Sequence, residues 1–73
     1  MVRRITIQRS LGELVVRIEQ DNLLTEKHRL LGGDWDGLRA TLLRQGCAER
    51  QVLEVTEILE TQSTVTITVT PER

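Results

Sequence analysis

The groups most able to do chemistry in this chain are one cysteine, Cys47, and one histidine, His28, among 73 residues. A thiol becomes a nucleophile when a neighbouring base takes its proton, and His28 is the only imidazole on offer. Cys47 follows Gly46 at the end of a helical pattern, where a C-terminal cap wants an apolar contact. It therefore reads as a small buried hydrophobe. His28 lies in the charged run Thr25-Glu26-Lys27-His28-Arg29 and reads as an exposed histidine without a catalytic role. One Cys and one His allow neither an internal disulfide nor a Cys/His zinc site within the chain. The lone cysteine fits a reducing compartment.

Asp34 and Asp36 are the nearest thing to a carboxylate pair. Residues two apart on a helix point to different sides, so helix capping by Asp34 and first-turn dipole complementation by Asp36 account for both. Gly32-Gly33-Asp34 is not a phosphate loop, because no Gly-Lys-Ser/Thr follows it. No catalytic residue, metal or cofactor is expected, and the chain reads as a non-enzyme.

Binding is the other class of chemistry. Nine of the ten basic residues are arginine, suited to forked contacts at interfaces, and Lys27 is the only lysine. Arg3, Arg4, Arg9 and Arg17 gather in the amino-terminal segment, and alternation puts Arg4 and Arg17 on one face of it. That face is a candidate for nucleic-acid phosphates. A net charge of −1 and an isoelectric point near 5.8 weigh against it, and cross-strand Arg17–Glu19 pairing on a solvated face competes. There is no Phe or Tyr, and Trp35 is the single aromatic residue, so base stacking has almost nothing to work with. Trp35 at a helix start either packs over the core or stays half exposed as a contact anchor for a partner.

These residues need elements to hold them. Residues 3–9 alternate, with Ile5 and Ile7 on one side and Arg4, Thr6 and Gln8 on the other. After Ser10-Leu11-Gly12-Glu13, where Gly12 can take positive φ, the alternation resumes through Leu14, Val16 and Ile18. This predicts a β-hairpin. Residues 64–70 alternate Val or Ile strictly with Thr, all β-branched, and predict a strand stopped by Pro71. Asp34 caps a helix carrying Trp35, Leu38, Leu42 and Leu43, closed by Gly46. A second helix, from about 48 to 60, places Val52, Val55, Ile58 and Leu59 on an apolar stripe. In residues 21–33 a short helix capped by Asp21-Asn22 and carrying Leu23, Leu24, Leu30 and Leu31 competes with a loop or an irregular third strand through His28 to Leu31, and the segment reads as part loop, part ordered turn.

The expected architecture is a single α+β domain over residues 1–73. The hairpin and the C-terminal strand form a small antiparallel sheet, two helices pack on one of its faces, and the order is β-β-α-α-β. So short a chain buries only about 60% of its unfolded surface, which makes a partner chain a natural contributor to stability. The strand at 64–70 carries no internal charge to discourage edge pairing, unless the 21–33 segment covers it. No stretch approaches a membrane span, and no apolar run follows the basic amino terminus as in a signal peptide. The expectation is a cytoplasmic, non-enzymatic, protein-binding domain, regulatory or adaptor in kind. It self-associates as a homodimer through a sheet edge, with Trp35, Arg4 and Arg17 as partner-binding residues. A nucleic-acid-binding domain using the Arg-rich hairpin face is the alternative.

Overall fold

The computed structural model describes residues 2–70. Strand β1 (Arg3–Ser10) turns through Leu11-Gly12 into β2 (Glu13–Gln20), forming the expected hairpin. Gly12 has φ 76°, in the left-handed region that favours glycine.

The chain then departs from expectation. Residues Leu23–Leu31 form a third strand, β3, rather than loop and turn. Asp21 and Asn22, with φ 55° and 67°, make the two-residue left-handed turn that suits the twist of a hairpin. Two features hid this strand. β3 is an edge strand exposed on most of its length, so no burial imposes an apolar alternation. It also carries a bulge: Ile18 lies opposite Glu26 but Glu19 lies opposite Leu24, leaving Thr25 unpaired and breaking the period of two. The Thr25 hydroxyl donates to the Ile18 carbonyl at 3.0 Å and pins the bulge.

Two helices follow, α1 (Trp35–Arg44) and α2 (Glu49–Thr61), and then β4 (Thr64–Val69). The Asp34 carboxylate accepts from the Gly37 N–H at 3.0 Å, capping α1. At the other end Gly46 takes φ 101°; its N–H donates to the Leu43 carbonyl and that of Cys47 to the Leu42 carbonyl, both at 3.1 Å. This is a Schellman closure, with buried Cys47 and Leu42 as its apolar pair. Helix α2 has no capping side chain at Ala48; instead Gln51 Oε1 accepts from the Ala48 N–H at 2.9 Å.

The full order is β-β-β-α-α-β, and the four strands lie β3-β2-β1-β4, antiparallel at every pairing. The α+β class, the hairpin with its C-terminal strand and the helices on one face stand as expected, with β3 added. Ile5, Ile7, Leu14, Val16 and Ile18 from the hairpin meet Leu38, Leu42, Val52, Val55 and Leu59 from the helices and Val65 and Val69 from β4. Trp35, Ile58 and Ile67 pack against this aliphatic core but remain half-buried.

Candidate functional site

The helices cover one sheet face; the other carries the residues that alternation turns away from the core. Strand register lays these out in rows across all four strands. One row reads Lys27–Arg17–Thr6–Thr66, the next Arg29–Val15–Gln8–Thr64, and the third Leu24–Glu19–Arg4–Thr68. Both expected arginines are therefore on this face, though not side by side. Arg4 lies opposite Glu19, with Nη1 3.7 Å from Oε1 across an exposed surface. Arg17 lies opposite Thr6 on one side and Lys27 on the other, so the expected Arg17–Glu19 pairing does not form. Hydroxyls of Thr6 and Thr66 are 3.3 Å apart. Val15 is the apolar residue of this face, and it is 8% exposed despite having no helix above it.

Lys27 and Arg29 enter this face only because β3 exists. Their exposure within a charged run was visible in the sequence, but which side of a sheet they would occupy was not. Trp35 is separated from the arginines, since it packs half-buried against the core on the helix side.

The sheet ends in two unlike edges. The Arg9 N–H donates to the Ser63 carbonyl at 2.7 Å, and backbone groups alternate along a strand. Val65, Ile67 and Val69 thus turn their N–H and C=O groups to β1, and Thr64, Thr66 and Thr68 turn theirs outward. At the other edge the Gly32 N–H donates to the Gly12 carbonyl at 3.1 Å, so Lys27, Arg29 and Leu31 face outward. Edge β3 has basic side chains and a bulge, both of which discourage strand addition; β4 has neither.

A polar network lies on the helix side. Arg3 Nη1 donates to the Gln45 carbonyl at 3.0 Å and to Gln45 Oε1 at 3.1 Å. Gln45 Nε2 donates to Glu26 Oε1 at 3.3 Å, and His28 Nε2 lies 2.8 Å from the same oxygen. His28 is thus half-buried and partnered, where an exposed and idle ring was expected. The His28 hydrogen bond is the main cause holding the Glu26 carboxyl below its ordinary value. Burial pushes the Cys47 thiol up, against a smaller opposing pull from Arg3, which makes it a poor nucleophile. The network ties β1, β3 and the end of α1 together. Sequence reasoning missed it, because its members come from segments with no common pattern.

Among the described residues no group of three or more His, Cys, Asp or Glu side chains is placed to hold a metal ion. No helix among them is long and apolar enough to cross a membrane. A shallow, open groove lies between the β1–β2 turn and the β3–α1 connection, lined by Arg9, Leu11, Gly12, Gly32, Gly33 and Ser63. It offers little polar chemistry. No protein-family model, no curated protein and no solved structure matches this chain.

Proposed function

We propose that this is a non-enzymatic protein-binding domain, regulatory or adaptor in kind, that self-associates by pairing β4 with β4 of a second copy. The observation that carries this reading is the uncharged outer edge of β4, where Thr64, Thr66 and Thr68 turn their backbone groups outward. The strand is self-complementary about a two-fold axis at Thr66. Antiparallel pairing there sets Thr64 against Thr68 of the second copy on the outer face, and Val65 against Ile67 on the helix side. Threonine pairs and β-branched pairs both favour such a register. Ile67 and Ile58, half-buried in one copy, gain apolar cover in two.

The experiment is light scattering across a dilution series, with Thr66→Pro as the variant. Proline removes the outward N–H at the two-fold while leaving the β1–β4 ladder its donors. The expected result is a concentration-dependent dimer for the parent chain, and a monomer with an unchanged circular dichroism spectrum for Thr66→Pro. A parent chain that stays monomeric at about millimolar concentration, where even weak pairing would register, would sink the reading.

A further inference from the structure

We infer that the outer sheet face binds the phosphate backbone of double-stranded nucleic acid without reading its bases. Arg17 stands directly opposite Lys27, and Arg29 is two residues along β3 from Lys27 on the same face. Like charges directly opposite each other in a sheet destabilise it. Among the described residues none of the three forms an ion pair: the carboxylate beside them in the next row, Glu19, is engaged by Arg4. Among the described residues no ion pair to these three cations relieves that repulsion, and an external anion would.

The near-neutral total charge conceals this arrangement. Asp34, Asp36, Glu49, Glu54, Glu57 and Glu60 all lie at or within the two helices, on the far side of the sheet. On the outer face four bases, Arg4, Arg17, Lys27 and Arg29, meet two acids, Glu13 and Glu19. The rows continue the cations into hydrogen-bonding groups, Thr6 and Thr66 in one and Gln8 and Thr64 in the other. Arginine, lysine, threonine and glutamine are the side chains that contact phosphate oxygens. They cover a broad surface rather than line a pocket, which fits a repeating phosphodiester better than one peptide side chain.

The face also lacks what base recognition needs. Trp35, the chain's one aromatic residue, is on the helix side, so no ring can stack on a splayed base. Binding then tracks charge density, which is higher for a duplex than for a single strand. This surface is separate from the β4 backbone edge, so the two proposals fail independently.

The test is fluorescence anisotropy with a labelled random duplex of about 20 base pairs and the matching single strand, titrated from about 20 to 200 mM salt. Three phosphate contacts predict a log–log salt slope near −3, and each of Arg17→Gln, Lys27→Gln and Arg29→Gln should reduce it by about 1. The triple variant should lose at least about tenfold in affinity at low salt. A control triple on the helices, Arg39→Gln with Arg44→Gln and Arg50→Gln, changes net charge equally and should bind like the parent. The duplex should still bind at protein concentrations where light scattering finds only monomer, separating this site from self-association. No binding at low salt, an equal loss in the control triple, or tighter binding to the single strand would each overturn the inference. So would polyglutamate binding that depends on the same three residues while the duplex goes unbound, since that assigns the face to an acidic peptide.

Discussion

Arg3 and Gln45, 42 residues apart in the chain, are joined by one guanidinium nitrogen that donates to both oxygens of Gln45, at 3.0 and 3.1 Å. Gln45 is the C-cap of α1 and is 9% exposed, so its carbonyl sits where water cannot readily replace a lost donor. Arg3→Ala leaves a buried acceptor unpaired, at a cost of about 1–3 kcal/mol. In a domain of this size each kcal/mol lowers the melting temperature by about 4–8 °C, measurable by calorimetry. An Arg3→Ala chain melting within a degree of its parent would show that the contact contributes nothing.

Glu26 makes stability depend on acid. Its carboxyl is held below the ordinary value of 4.5, chiefly by the hydrogen bond from His28. A lowered folded-state value means the contribution is present above the ordinary range and disappears as pH falls through the lowered one. Glu26→Gln is expected to be less stable than the parent at neutral pH and to match it once the pH has fallen through that lowered value. The side chain is exposed, so the difference should be small and shrink with salt. Thermal melts across pH check this; a gap that widens in acid contradicts it.

Gly46 and Gly33 should respond oppositely to alanine. Gly46 holds φ 101°, and a Cβ there meets Val69 only at an ordinary 3.5 Å, so the penalty lies in the backbone. Gly46→Ala is expected to cost about 1–2 kcal/mol in urea unfolding. Gly33 is outside the left-handed region and a Cβ on it meets nothing within 4 Å. Gly33→Ala should be neutral or stabilise by up to about 1 kcal/mol, through the unfolded chain.

Cys47 should be chemically silent in the folded protein. It is 6% exposed, and burial raises its thiol above the ordinary value. Alkylation at pH 8 is expected to be slow in buffer and fast in denaturant, because the thiolate forms only when the Schellman closure opens. Rapid labelling under native conditions would mean that the α1–α2 junction opens readily.

Much of the architecture was legible because local chemistry and burial agree. The Val/Ile/Thr alternation at β4, the Asp34 cap and the Gly46 closure are each set by residues within a few positions of one another. The hairpin was equally plain, since Ile5, Ile7, Leu14, Val16 and Ile18 all need the same wall of the core. β3 was not, because an edge strand buried only in part at His28 and Leu30 has little reason to alternate along its length, and its bulge at Thr25 breaks any remaining period.

That the chain has too few Cys and His for an internal disulfide or a Cys/His zinc site was a matter of composition. The segregation of charge was not: composition records a total, whereas a face is made by register. Arg17 meets Lys27, and Arg3 reaches Gln45, only after strands distant in sequence have been laid side by side. Local preference was enough to mark β1, β2, both helices and β4, but not β3. Tertiary structure decided which charges are neighbours and which edge is left open, because pairing order and register arise from the chain packing against itself.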